Sequence, residues 1–398
     1  MAINSNFSIY EPEAWVEVYL ANQYPSRPMV SQAVTNVAGA DVEGLVAQRN
    51  KQVNITRAVK TSTSDVTDYT GNYNATTTPD SNEFSLTMNK HKFIQFSIDK
   101  ADQRFALPDL VEQHFVPRLH SLLDVINQDI KAEATKFEAA FGEYNTTLTV
   151  IDDADLREAR RILKARKNWN EGAIAVISPD AEADLTGLNL FHQANTRGGT
   201  EIQLNGNMGR AFGFDFFVDN LGSAHTAATV TDAVVAANAA AGNTTVTIDN
   251  GSAGDATISL SEGDVITFGS ALTSDDFYVV DSQTTDGNYL LLKEPLRKAV
   301  ADDATINPVS LASTGTNEFF YDPRAISLVT AVMQNIDSGN GGVRRAAGFE
   351  PTNRVNYTLT VQETKSGADV LIEVLYGTKL FYPDLGVRYV RGTTAKSA

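Results

Sequence analysis

Between Leu119 and Phe141 the apolar residues Leu119, Leu122, Leu123, Ile126, Ile130, Ala134, Phe137 and Phe141 recur at steps of three and four, which aligns them on one face of a helix. Asp124, Asn127, Gln128, Lys131 and Glu138 fill the other side. At about 1.5 Å per residue this stretch predicts a rod of roughly 35 Å, longer than the average globular helix. Pro117 suits a first-turn position, so a shorter segment from Asp109 to Val116 is expected to lead in at an angle, and Gly142 to end the helix. A rod of that length must lie across one or more sheets. The flanking sequence, polar and strand-forming before it and mixed after it, predicts an α+β architecture.

The 398 residues, 42% of them hydrophobic, suffice for a sizeable core and for two or three domains. A formal net charge of -17 opposes a surface that grips nucleic acid, because phosphate neutralisation needs clustered Lys and Arg. The absence of cysteine removes disulfides, thiolate nucleophiles and Cys-based metal sites. No secretory signal pattern and no apolar run of membrane-spanning length is visible, so a protein made in a cytoplasm and without a membrane partner is expected.

Residues 1–51 read as an extended arm interrupted by Pro12, Pro25 and Pro28, with a short helix at Ala14 to Leu20; such an arm needs another surface to lie on. Residues 52–98 read as a long β-hairpin. Its strands are Val53 to Val59 and Phe84 to Met88, continued by Lys92 to Ile98, and its tip from Thr61 to Asn82 is almost wholly polar. A two-stranded ribbon is marginal by itself in water, so it is expected to pack outside its own domain. Residues 99–150 carry the long helix. From 151 to 225 follows an α/β unit: a helix capped by Asp152 or Asp153 with Arg157, Arg160, Arg161 and Arg166 outward, a strand Ala173 to Ile177, a short helix from Ala181 to Leu188 capped by Asp180, and a strand Gly213 to Asp219.

From 226 to 309 short strands separated by turn residues every eight to twelve positions predict a small antiparallel barrel inserted into the host. Residues 226–308 hold twelve acidic and three basic side chains, nine of the seventeen net negative charges. The host resumes over 310–398, with strands at Ala325 to Met333, Val355 to Gln362, Asp369 to Tyr376 and Val387 to Val390, and a long glycine-rich loop from Asn335 to Asn353 that carries Arg344 and Arg345.

Catalytic patterns are missing from this order of parts. His91, His114, His120, His192 and His225 are scattered without metal-ligand spacing, the Gly-rich stretches near Gly198 and Gly206 complete no phosphate loop, and Ser178 lacks a nucleophile-elbow context. No catalytic, cofactor or metal residues are assigned.

The run Ala175-Val176-Ile177-Ser178-Pro179-Asp180, followed by Leu185, Phe191 and Gly213-Phe214-Asp215-Phe216, together with the sequence of arm, ribbon, long helix, α/β unit and insert, resembles the tailed-phage major capsid proteins of the HK97-type fold over nearly the whole chain. Ser261-Glu262-Gly263-Asp264-Val265-Ile266-Thr267-Phe268, Phe277-Tyr278-Val279-Val280 and Leu371-Ile372-Glu373-Val374-Leu375-Tyr376-Gly377 are similar to the inserted barrel and C-terminal strands of podovirus coat proteins. The resemblance implies an N-arm, an extended hairpin loop, a long spine helix and an axial α/β domain with an inserted β-barrel. It also implies a non-enzymatic shell of pentamers and hexamers around double-stranded DNA held without sequence-specific contact, with scaffolding and portal proteins as partners, assembly in a host cytoplasm and residence in the virion. Subunit contacts are expected at Arg57, Thr61, Asp65, Asp68, Tyr69 and Asn82 of the ribbon, at Asp275 and Asp276 of the insert, and at Arg344 and Arg345, expected to neutralise acidic residues near a capsomer axis. An encapsulin-like compartment and a β-rich surface or adhesin protein are the alternatives.

Overall fold

The structure is a computed structural model that describes residues 12–20, 27–33, 52–57, 82–99, 107–142, 150–166, 172–188, 208–221, 229–231, 233–249, 257–269, 277–284, 289–308, 317–332, 343–365 and 367–390. Its helices are α1 (Pro12–Leu20), α2 (Pro28–Gln32), α3 (Leu107–Leu110), α4 (Val116–Ala134), α5 (Asp153–Ala165) and α6 (Pro179–Thr186), with a π-helical stretch at Val111–Phe115 joining α3 to α4. The first group of strands is β1 (Gln52–Arg57), β2 (Asn82–Thr87), β3 (Lys90–Asp99), β4 (Ala139–Gly142), β5 (Ala173–Ile177), β6 (Arg210–Ala211) and β7 (Phe214–Val218). The insert contains β8 (Thr229–Thr231), β9 (Val234–Val235), β10 (Thr245–Asp249), β11 (Thr257–Ser259), β12 (Val265–Phe268), β13 (Tyr278–Gln283), β14 (Tyr289–Leu292) and β15 (Ile306–Pro308). The chain closes with β16 (Asn317–Tyr321), β17 (Ile326–Ala331), β18 (Val343–Glu350), β19 (Val355–Glu363), β20 (Gly367–Leu380) and β21 (Gly386–Val390).

Helix α4 is the element on which both host sheets converge. Leu119, Leu122, Leu123, Ile126 and Ile130 are buried against Tyr357, Leu359, Val370, Ile372 and Val374 of the five-stranded sheet and against Ile174, Val176, Phe319 and Tyr321 of the six-stranded one. Burying five such side chains contributes about 10 kcal/mol before chain entropy is counted. The helix ends earlier than the periodicity predicts. After Ala134 the chain turns, Phe137 drops into the same core, and Ala139–Gly142 becomes β4, parallel to β21. Phe137 and Phe141 keep the helical spacing by coincidence of position; Phe141 serves a different core, on the far side of the sheet. The lead-in is the short helix α3 followed by the π stretch, which runs without a break into α4 with Pro117 in its first turn.

In the six-stranded sheet, ordered β4-β21-β16-β5-β7-β6, alternate residues serve opposite layers. Ile174, Val176, Phe319 and Tyr321 face α4, while Ala175, Ile177, Phe320, Val387 and Tyr389 face Leu156, Ala159 and Leu163 of α5 and Leu185 of α6. The start of α5 is a capping box: the Asp152 carboxylate accepts from the N–H groups of Ala154 and Asp155, and Asp155 accepts from the N–H of Asp152. The cap of α6 is Ser178 rather than Asp180; the helix begins at Pro179, two residues earlier than expected, because a proline needs no N–H donor there.

The other host sheet runs β17-β20-β19-β18, with β3 on the free flank of β20. The hairpin expected over 52–98 is therefore split. β1 pairs antiparallel with β2, whereas the chain beyond Asn89 leaves the ribbon and pairs for ten residues with β20. The glycine-rich loop is also shorter than expected, since residues 343–350 form β18, paired residue for residue with β19. Arg344, Arg345, Ala346, Ala347 and Gly348 carry too little apolar alternation to announce a strand, and the backbone ladder supplies what the side chains do not.

The insert folds around its own apolar core, including Val246, Ile266, Tyr278, Val280, Leu290 and Leu292. Its sheet runs β15-β12-β13-β14-β10-β9. The two end strands approach one another: Val234 bridges Thr305, and the Ile306 N–H donates to the Ala233 carbonyl at 3.0 Å, so the sheet is nearly closed.

Candidate functional site

Three places concentrate buried polar groups or exposed apolar ones. The first is a stripe on α4. Asp124, Asn127 and Lys131 sit at helical spacings on the side that periodicity assigns to solvent, yet Asn127 and Lys131 are buried. The stripe is occupied by two other chain segments. The Asn127 Nδ2 group donates to Asp219 Oδ2 at 2.6 Å, just after β7, and Asn127 Oδ1 accepts from the Met29 N–H of α2 at 3.1 Å. Lys131 Nζ pairs with Asp219 at 2.9 Å and also donates to the Leu221 carbonyl. Burial lowers the Lys131 pKa, opposed by Asp219. A small cavity with room for about one water lies beside this pair, lined in part by Ser178, Asn317 and Phe319.

The N-terminal helices thus find their surface on the chain itself. Trp15 and Tyr19 of α1 are wholly buried, with Tyr19 edge-on to Phe115 and Tyr357 at ring separations of 5.5 and 6.2 Å. Arg27 forms an ion pair with Asp124, its N–H donates to Asn353 Oδ1 at 2.6 Å, and Met29 Sδ accepts from the Tyr321 hydroxyl at 3.3 Å. Helix α2 escapes a periodicity search because it is only five residues long.

The second place is the junction of insert and host. Arg388, on β21, is 1% exposed. Its Nε donates to Asn317 Oδ1 at 2.8 Å, and its Nη1 donates to the carbonyls of Gly263, in the turn before β12, at 2.8 Å and Thr135, at the end of α4, at 3.2 Å. Burial pushes the Arg388 pKa down to about 10, with Asp264 opposing, so the guanidinium stays charged at neutral pH. Gly263 has φ +92°, and a Cβ there would lie 3.0 Å from the Thr135 carbonyl oxygen, so only glycine lets the turn come this close. Lys293 of the insert donates to the Lys136 carbonyl at 2.9 Å and pairs with Glu262 at 2.8 Å. Arg166 bridges Glu138 of the host and Glu294 of the insert. An apolar cluster of Ala140 and Val390 with Val265, Phe277 and Val279 completes the contact.

The third place is the face of the five-stranded sheet turned away from α4. The ribbon is rooted at its corner, where Leu86 and Met88 pack on Val329, Ala331, Leu375 and Phe381. β2 crosses so close to β20 that a Cβ on Gly377 would lie 2.5 Å from the Thr87 carbonyl oxygen, and Lys379 Nζ donates to the Ser85 carbonyl at 2.7 Å. Two aromatic side chains on this sheet, Phe93 at 61% and Phe349 at 47%, are left exposed. Among the described residues β1 has no strand partner but β2.

Of the residues proposed from sequence, Arg57 and Asn82 lie directly opposite one another at the end of the paired ribbon. Arg344 and Arg345 lie on β18 opposite Val361 and Thr360, not in a loop. Thr61, Asp65, Asp68, Tyr69, Asp275 and Asp276 fall outside the described residues. His91 contacts Glu373 at 3.3 Å, and His114 stacks on Phe96; no group of three or more potential metal-ligating side chains occurs among the described residues. Ser178 donates its hydroxyl to buried Glu318 at 2.6 Å while capping α6, a structural use of that side chain. Arg388 and Asn127 escaped the sequence reading, because a lone Arg inside a strand and an Asn on a helix carry no spacing signal.

No family model matches the chain, and no curated protein matches it. Among solved structures, it is similar to one of Mycobacterium phage Che8, at 13% identity and TM-score 0.47 over 92% of this chain and 93% of that one. It is similar to the capsid structure of the cyanophage P-SCSP1u, at 11% identity and TM-score 0.46 over 92% and 87%. It is also similar to the asymmetric unit of the bacteriophage PhiM1 mature capsid, at 13% identity and TM-score 0.43 over 94% and 89%.

Proposed function

We propose that the chain is a major capsid protein of a tailed bacteriophage, a non-catalytic HK97-type subunit with an inserted β-barrel that assembles into pentamers and hexamers of an icosahedral shell around double-stranded DNA. The observation that carries this reading is the ribbon. β1 and β2 pair only with each other among the described residues, and the ribbon is fastened to its own subunit at one corner through Leu86 and Met88. Such a ribbon gains its stability when it lies on another copy, and a ring of copies repeats that burial around a closed symmetry. The exposed Phe93 and Phe349 offer apolar contact on the same sheet.

The parts take these roles in the proposal: 1–51 an N-terminal arm, 52–89 the extended loop, 90–150 the peripheral domain with β3 and the spine helix, 151–225 and 310–398 the axial and peripheral remainder, and 226–309 the barrel on the outside. Scaffolding and portal proteins assist assembly in the host cytoplasm, and the net charge of -17 suits a shell that holds DNA without sticking to it. An encapsulin-like shell would not call for the insert, and a surface protein would not call for a ribbon rooted on one corner.

The test is excision of residues 58–81 with a short Gly-Ser closure. The folded subunit should survive, because the apolar cores of the described residues are built from other parts of the chain, while higher assemblies vanish in size-exclusion chromatography with light scattering. Shells formed normally by the excised chain would overturn the reading. Replacing Arg344 and Arg345 with Glu tests their place as subunit contacts: the variant should fold and fail to close capsomers, and normal closure would remove them from the interface.

A further inference from the structure

We infer that residues 27–33 form a strap whose closure on α4 is coupled, through the single side chain of Asn127, to the seating of the segment that leaves β7 at Asp219 to Leu221. Among the described residues, no hydrogen bond or ion pair joins Asp219 to α2. Its carboxylate can only accept hydrogen bonds, and it takes one from Asn127 Nδ2 at 2.6 Å. That fixes the amide so that Oδ1 faces the opposite way, where it accepts from the Met29 N–H at 3.1 Å. This bond matters to the strap because Arg27, at the N-cap of α2, supplies no side-chain cap, and Pro28 offers no N–H. The cap of the strap is lent by the long helix and oriented from the other side of it.

The remaining members of the relay hold Asp219 still. Lys131 Nζ lies 2.9 Å from its Oδ2 and donates to the Leu221 carbonyl, while the Leu221 N–H returns a bond to Asp219 Oδ1 at 3.0 Å. Asn127, Lys131 and Asp219 are 0%, 4% and 6% exposed, so water does not replace a missing partner at low cost. Loosening Asp219 therefore releases the amide of Asn127 to rotate, and the strap loses its cap.

Hydrogen–deuterium exchange of the full chain tests the coupling in two variants that leave α2 untouched, Asp219→Asn and Lys131→Met. Each should speed exchange in peptides covering 27–33 by about tenfold, the effect of one buried hydrogen bond, relative to strand Gly367–Leu380. Exchange should rise at Leu221 in parallel. If 219–221 opens in either variant while 27–33 keeps its protection, the strap closes independently and the inference is overturned. An equal rise in the strap and in Gly367–Leu380 overturns it as well, since the release is then global rather than relayed.

Discussion

Replacing Arg388 with Met preserves most of the side chain's volume and removes its charge and its donors. Three acceptors lose a partner: Asn317 Oδ1 and the carbonyls of Gly263 and Thr135. An acceptor left unpaired in the interior costs about 1–3 kcal/mol, so the gross loss is roughly 3–9 kcal/mol. Relief of the guanidinium's own desolvation cost returns several kcal/mol, which leaves a net destabilisation of about 2–4 kcal/mol. For a chain of this size the melting temperature should fall by on the order of 5 °C. The loss should also be local in character. Peptides over Ser261 to Asp264 and over Thr135 to Phe137 should exchange faster than the five-stranded sheet, because Arg388 donates to the carbonyls of both Gly263 and Thr135 at the turn that Lys293 also holds. Arg388→Lys, which keeps the charge without the planar fork, should fall between the two. A Met variant that melts with the parent protein, or that loses stability uniformly without opening the 261–264 turn, would refute the reasoning.

Three further outcomes follow from the same geometry. Gly377→Ala places a methyl 2.5 Å from the Thr87 carbonyl oxygen, so it should lift the ribbon root off β20 and cost about 1–3 kcal/mol in thermal or chemical unfolding. Asp152→Ala removes the capping box of α5 and should cost about 1 kcal/mol, with faster exchange confined to the first turn of that helix. His120, on α4, faces Arg27 of the strap, Asp124 on its own helix and Glu350 of β18; burial and then Arg27 lower its pKa below 6.5. The neutral form is favoured in the folded state, so its contribution is complete above pH 6.5 and is lost as pH falls below that value. His120→Gln should flatten stability across that acid range, as read by melting at a series of pH values.

Strands β3, β5, β7, β17, β19, β20 and β21 were legible in the sequence from a period-two pattern or an unbroken apolar run, and β10 to β14 from the rhythm of the turns between them. The start of α5 could be read from Asp152 and Asp155, since a capping box is a local signal. What resisted reading was non-local. The end of α4 depends on Ala139 to Gly142 pairing with a strand almost 250 residues later. β18 has hardly any apolar alternation and forms because β19 offers a ladder. Asn127 and Lys131 looked like a solvent stripe because polarity predicts exposure on average, whereas here the stripe is covered by α2 and by the exit of β7. Arg388 shows the same limit: a charged residue in a strand reads as an outward position until the three acceptors around it are known.

Electron microscopy of the expressed full chain, supplied with its scaffold when it does not assemble unaided, tests the central claim most directly. The account predicts closed shells, tubes or rings built from five- and six-membered clusters of subunits. Particles that remain single folded subunits under both conditions would contradict it.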